Sequence, residues 1–213
     1  MEIAVLGSTG QTGRLIIARA VQRGHDVIAL ARRPERVETS VSVKTPQSGT
    51  LRVVRADVTD PDSVAEAVSG VEVVVSGLGV SKDQDPEILV EGAHQIVSAA
   101  PRVIWLTSLG MGATEGALGA VNGALLKRIL RHEWDAKAVS GRVVRDTGGT
   151  TVHAGPLTNK PYRGNGRLVR AEGFKPRMIP PKASREGIAA LMVAEAETPQ
   201  FVDTDTIALF DSP

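Results

Sequence analysis

Short apolar runs alternate with longer stretches of helical periodicity along this chain. Ile3–Leu6, Asp26–Ala31, Leu51–Arg55, Val71–Ser76 and Val103–Leu106 read as strands, with Thr150–His153 a sixth and Thr206–Phe210 a closing one. Runs this short, with little polar alternation, belong to strands covered on both faces, as in a parallel sheet. Between them, apolar positions recur at helical spacing. Gln11–Arg23 is stopped by Gly24, a helix opened by Asp60-Pro61 is stopped by Gly70, and one opened by Asp85-Pro86 runs to Ala100 before Pro101. Asp followed by Pro supplies a capping oxygen and a residue preset for the first turn. Val64, Ala65 and Val68 face inward on the second helix, and Ile88, Leu89, Gly92, Ile96 and Ala99 on the third. One long helix is expected over Val121–Val144, with Val121, Leu125, Ile129, His132, Ala136 and Val143 on a single stripe. A last helix starts at Ser184 as N-cap, with Ile188, Leu191 and Met192 inward. Strands alternating with helices predict an α/β fold, a doubly wound parallel sheet. No internal repeat or linker interrupts it, so residues 1–213 are expected to form a single domain.

The first strand and helix are joined by Gly7-Ser8-Thr9-Gly10-Gln11-Thr12-Gly13. Gly7 lets the chain leave the strand through a tight turn. Gly10 leaves bare backbone for a ligand to lie against, and Gly13 shares the helix face of Ile17, Ala20 and Val21 that must press onto the sheet. The free amides of the first helical turn, with the helix dipole, favour an anion above this turn. In a strand–turn–helix context the anion expected is the pyrophosphate of a dinucleotide.

The tip of the second strand selects the dinucleotide. NAD binding wants an acidic residue there, about twenty residues past the glycines. This chain has Arg32 and Arg33, then Arg36, and its Asp26 lies at the opposite end of the strand. Guanidinium forks suit a 2′-phosphate, so NADP(H) is preferred over NAD(H). Gly77-Leu78-Gly79 ends the fourth strand and lets a cofactor pass close to backbone. The ends of the fourth, fifth and sixth strands, at Gly77–Gly79, Thr107–Ser108 and His153–Leu157, are expected to surround the nicotinamide. Substrate-side loops fall mainly in 109–123 and 154–183, where Gly110–Gly123 reads as a mobile loop and Gly164-Asn165-Gly166 as the turn of a small hairpin over the cofactor. Glu38–Thr50 reads as a surface loop.

GSTGQTG with the Arg-tipped second strand resembles the short-chain dehydrogenase/reductase superfamily in its atypical and extended branches, whose fold is Rossmann-type. The resemblance is strong through GSTGQTGRLIIARAVQRGHDVIALARRPERV, fair in VVRADVTDPDSVAEAVSGVEVVVSGLG and VIWLTSLG, and weak after Ala113. It implies that Asp57 accepts a hydrogen bond from the adenine amino group and that the Val58 amide meets the ring; the alternative is that Asp57 only fixes its turn. It also implies a place for Ser108 beside the nicotinamide. Typical members use a Tyr with a Lys four residues later as proton donor. The only tyrosine here, Tyr162, follows the sixth strand and has no such lysine. That departure fits the atypical subgroup that includes flavin reductase/biliverdin-IXβ reductase. The subgroup's V-R-P-G-x-L-T after the sixth strand is here Val152-His153-Ala154-Gly155-Pro156-Leu157-Thr158, with Pro156 and Leu157 kept beside the cofactor.

The chemistry expected is hydride transfer from NADPH to a small-molecule acceptor that is conjugated: a flavin, a quinone or a tetrapyrrole-like compound. Such acceptors require mainly positioning. Ser108 and His153 are the candidate catalytic residues, the first to bond substrate or order a water, the second as a proton donor that titrates near neutrality. Their structural alternatives are a strand-end hydroxyl bonded to backbone and a histidine packed at the sheet edge. Lys127 and Lys137 read as solvated, with Lys127 the one that reaches toward the ribose. A second function, from a different class, is an NmrA-like regulator that senses NADP(H) without turnover. A third is an isomerase or epimerase, which the lack of a Tyr base disfavours.

Composition narrows the rest. Net charge is +1 with six aromatics in 213 residues, which argues against nucleic acid as a partner. The chain has no cysteine, and His25, His94 and His132 are scattered, so no metal site is expected. Neither a signal peptide nor a membrane span fits the pattern, and a cytoplasmic location is the default expectation. Monomer and dimer both remain open.

Overall fold

The apolar runs become the strands. The computed structural model describes residues 1–37, 48–164, 166–175 and 181–210. The chain begins β1 (Glu2–Leu6), α1 (Gln11–Gln22), β2 (Asp26–Ala31), β3 (Leu51–Arg55), α2 (Pro61–Ala67) and β4 (Val73–Ser76). It continues α3 (Glu87–Ala99), β5 (Val103–Ser108), α4 (Gly119–Ile129), α5 (Trp134–Asp146) and β6 (Thr150–Ala154). β7 (Leu157–Thr158), β8 (Gly166–Arg170), β9 (Ala183–Ser184), α6 (Arg185–Glu197) and β10 (Thr204–Phe210) complete it.

The main sheet has the order β3-β2-β1-β4-β5-β6-β10-β8, and β7 pairs with β9 separately. All neighbours in the main sheet run parallel except β8, which is antiparallel to β10. This is a Rossmann-type doubly wound sheet. β1 shows why its run is unbroken in sequence: Ile3 and Val5 pack with Ile16, Ile17, Ile188 and Met192 of α1 and α6. Ala4 and Leu6 point the other way, into a cluster with Val64, Ile96 and Val144 of α2, α3 and α5. A strand apolar on both faces must be covered on both faces. The order reverses at β1, with β2 on one side and β4 on the other, and this opens a crevice at the carboxyl ends of those strands.

Local signals hold at most helix ends. Asp60 caps α2 by accepting from the Ser63 amide, and Ser184 caps α6 by accepting from the Gly187 amide. At α3 the cap position falls on Pro86, while Asp85 Oδ1 accepts from the Glu87 amide at 3.0 Å.

Three expectations need correction. The long helix over Val121–Val144 is two helices, broken at Leu130–Glu133 by a turn closed by the Glu133 amide on the Leu130 carbonyl. The break frees α5 to pack on α3 and β5, while α4 turns away. The α4 part of the expected stripe faces out: Val121 is 83%, Leu125 56% and Ile129 66% exposed. Gly110–Gly123 is structured through a 3-10 turn at Gly112–Thr114 and the start of α4. The segment after Gly164 joins the main sheet as its edge strand β8, not a separate hairpin. Residues 38–47 of the expected surface loop, Asn165 of the expected turn and 176–180 of the second substrate-side loop lie outside the described residues. No described helix is long and apolar enough to cross a membrane.

Candidate functional site

The crevice is built first by the turn after β1. Gly7 has φ +77, and a Cβ on it would lie 2.7 Å from the Leu78 nitrogen and 2.8 Å from the Gly77 carbonyl carbon. The tips of β1 and β4 thus meet backbone to backbone. The Gly10 amide closes the turn on the Gly7 carbonyl at 2.9 Å. A Cβ on Gly13 would collide with that same carbonyl, so α1 seats directly on the turn. Gly10 is the N-cap of α1 in extended conformation, with no side-chain cap and no acidic residue in the first turn. The leading amides of α1 therefore point into the crevice with a positive dipole end behind them. Ser8 donates from Oγ to the Leu30 carbonyl at 2.6 Å and is buried. This bond ties the turn to the tip of β2, a role sequence reasoning missed because a serine in a glycine turn carries no signal of its partner.

A cavity of about 930 Å³ runs from this turn along the carboxyl ends of the strands. Gly7, Ser8, Thr9, Gly10, Gln11 and Thr12 line its centre. Arg32, Arg33 and Arg36, all exposed, line one end with Asp57 and Val58. Asp57 Oδ1 accepts from the Thr59 amide at 3.1 Å and the Thr59 hydroxyl at 2.9 Å, so it fixes its own turn while also facing the cavity. Gly77, Leu78 and Gly79 form the wall over the turn.

The other end is lined by Thr107, Ser108, Glu133, Lys137, Leu157 and Arg185. Lys137 reaches from α5 to the tip of β5, where Nζ donates to Ser108 Oγ at 3.3 Å. The same Nζ lies 3.3 Å from Glu133 Oε2, one helical turn earlier. Thr107 Oγ1 is buried with no hydrogen-bond partner among the described residues. A buried hydroxyl left unpaired is costly, and in a cavity wall it marks a place for a ligand's polar atom.

Three expected site residues do not line the cavity. Gly13 supports the turn from behind. Pro156 is exposed, and its carbonyl accepts from the Ala183 amide at 3.1 Å. His153, expected as a proton donor, is buried and does not line the cavity. Its Nε2 contacts Thr151 Oγ1 at 3.1 Å and Asp205 Oδ1 at 3.4 Å; its Nδ1 contacts Thr114 Oγ1 at 3.1 Å and the Ser108 carbonyl at 3.3 Å. With both nitrogens engaged it holds the loop after β5 to β10. Burial pulls the Asp205 carboxyl upward, but hydrogen bonds from His153 and Thr151 outweigh it and leave it below its ordinary range. Lys127 does not reach the crevice; it lies 5.8 Å above the Trp134 ring. The lysine in the site is Lys137, which had read as solvated, and its partner Glu133 escaped sequence reasoning altogether. Tyr162 packs edge-on against Phe210 at 6.0 Å and its hydroxyl accepts from the Gly166 amide, away from the cavity.

Comparison with known proteins agrees with this geometry. A family model described as NAD(P)H-binding matches residues 7–199. The isoflavone reductase homolog IRL of Zea mays is 33% identical over 96 residues, which is 44% of this chain and 31% of that protein. Eugenol synthase 2 of Clarkia breweri is 32% identical over 91 residues, 39% of this chain and 28% of its own. The match thus spans under a third of the length of these curated relatives. Among solved structures, the oxidoreductase ylbE of Lactococcus lactis superposes with TM-score 0.80 at 18% identity, over 100% of this chain and 92% of that one. The anaerobillin reductase ChuY of Escherichia coli O157:H7 does so with TM-score 0.75 at 18% identity, over 100% and 98%. At this identity the likeness is one of fold.

Proposed function

Because the chain belongs to the NAD(P)H-binding family, we propose that it is an NADPH-dependent reductase that passes hydride to a conjugated small-molecule acceptor such as a flavin, a quinone or a tetrapyrrole. The nicotinamide, when bound, supplies the hydride. The bare turn at Gly7–Gly10, which a Cβ would fill, fits a pyrophosphate held by the leading amides of α1. Arg32 and Arg36 at the tip of β2 suit a 2′-phosphate, and Asp57 and Val58 lie where an adenine would sit. Ser108 and the unpaired hydroxyl of Thr107 stand at the opposite end, where a nicotinamide amide or an acceptor carbonyl finds partners.

The single observation that carries the reductase reading over a nucleotide sensor is the extent of the cavity. It continues past Ser108 to Leu157 and Arg185, on segments downstream of β6, and so offers room for a second molecule beside the cofactor. The likeness of fold to the anaerobillin reductase ChuY points the same way without fixing an acceptor. The test is NADPH oxidation followed at 340 nm with FMN, a quinone or a linear tetrapyrrole as acceptor. Acceptor-dependent turnover is expected. Tight NADPH binding with no turnover by any acceptor would instead support the sensor.

A further inference from the structure

Glu133 and Lys137 line the cavity at the end away from Arg32, Arg33 and Arg36, where no cofactor contact is assigned to them. A carboxylate and an ammonium 3.3 Å apart, their side chains only 18% and 22% exposed, form a costly arrangement to hold at a pocket wall. A partly desolvated pair of this kind is weak evidence for stability. The same ammonium spends a second hydrogen on Ser108 Oγ. The three groups thus form a chain that starts at partly exposed Glu133 and ends on a hydroxyl in the cavity.

Resting on the reductase reading, we propose that Glu133, Lys137 and Ser108 form a proton relay that protonates the oxygen of a conjugated carbonyl acceptor. Hydride adds to the acceptor's carbon skeleton, the displaced π pair moves to oxygen, and Ser108 gives its hydroxyl proton to that oxygen. Lys137 replaces the proton by releasing one of its own to Ser108 Oγ. Solvent entering beside Glu133 then returns a proton to Lys137. The hydride that a bound dihydronicotinamide would supply is one proton with two electrons; solvent supplies one further proton, and the acceptor gains both. Ser108 touches the acceptor; Lys137 and Glu133 act through it. Glu133 anchors the Lys137 ammonium from one helical turn away, with Oε2 3.3 Å from Nζ, and so positions it on Ser108. Arg185 from α6 is the other charged group lining this end, and Arg32, Arg33, Arg36 and Asp57 line the far one. His132 is turned toward the Gln84 carbonyl.

The acceptor class follows. A carbonyl oxygen must receive a proton as hydride arrives, whereas a flavin nitrogen takes one from water. Lys137→Met is expected to lower kcat with a quinone by roughly 10²-fold or more, the usual worth of general acid catalysis. The ratio of quinone to FMN turnover falls with it. Lys137→Arg keeps the charge but holds a proton it cannot release, so it should not restore kcat. Glu133→Gln, which loosens Lys137 from its place beside Ser108, is expected to lower kcat with the quinone while KM for the quinone changes little. Restored kcat in Lys137→Arg, or an unchanged ratio of quinone to FMN turnover in Lys137→Met, would overturn the relay. NADPH fluorescence on binding to the wild-type protein reports the parent reading separately. Its absence overturns the reductase; its presence with an unchanged quinone-to-FMN ratio in Lys137→Met overturns the relay alone.

Discussion

Gly7→Ala tests the geometric basis of the crevice most directly. Two independent costs arise at this position. The backbone sits at φ +77, where an L side chain loses about 1–2 kcal/mol. The new Cβ would also stand 2.7 Å from the Leu78 nitrogen and 2.8 Å from both the Gly77 carbonyl carbon and Leu78 Cα. All three are main-chain atoms of β4's exit, so no rotamer relieves the contact. Overpacking of this kind costs about 1–3 kcal/mol, which brings the total to about 2–5 kcal/mol. Against a whole-domain stability of about 5–15 kcal/mol, that is a large fraction. Gly79→Ala is the matched control, because nothing lies within 4 Å of its added Cβ and its φ is not positive. Urea unfolding by circular dichroism should place Gly79→Ala within about 0.5 kcal/mol of wild type and Gly7→Ala well below both. NADPH and NADH affinities should fall together in Gly7→Ala, because the turn that would hold the shared pyrophosphate is displaced. Wild-type stability in Gly7→Ala would refute the close approach of β1 and β4.

Other consequences can be read with the same tools. Arg32→Ala with Arg36→Ala should weaken NADPH binding by about tenfold or more, the worth of a charge-assisted contact, and leave NADH nearly unchanged in a fluorescence titration; equal losses would show that these arginines do not read a phosphate. Thr107→Val should leave the unfolding midpoint at or above the wild-type value, since the hydroxyl has no partner among the described residues to lose, while cofactor or acceptor affinity drops. Glu197→Gln addresses acid stability. The Arg23 guanidinium, with help from His25, holds the Glu197 carboxyl below its ordinary range. The stabilisation is therefore complete above the unfolded glutamate value near 4.3 and fades as pH falls through the lower folded one. Wild type should exceed Glu197→Gln by about 0.5–1 kcal/mol at pH 7, with the gap closing toward pH 3 in urea titrations; a gap that persists at pH 3 would show that Glu197 acts through packing.

Local chemistry made much of this protein legible before any fold was known. A glycine with a conformation barred to other residues, a proline fixed for a first turn, a serine whose oxygen caps the next amides: each acts within a few residues, so Gly7, Pro61 and Ser184 announce their roles in the sequence itself. Alternating short apolar runs and amphipathic stretches likewise imply a sheet covered on both sides, because β1 has no polar face to offer water. The tertiary structure alone decided which side chains meet across sequence distance. Periodicity marked a stripe from Val121 to Val143 but not the turn at Leu130–Glu133 that sends α4 outward and α5 inward. That turn lays Glu133 and Lys137 against Ser108, a pairing across 29 residues. His153 shows the reverse: its strand-end position suggested chemistry, and only the packing of β10 and the Thr114 loop around its ring revealed a structural post. Such meetings depend on the direction in which whole helices and strands are packed, and no residue encodes that direction by itself.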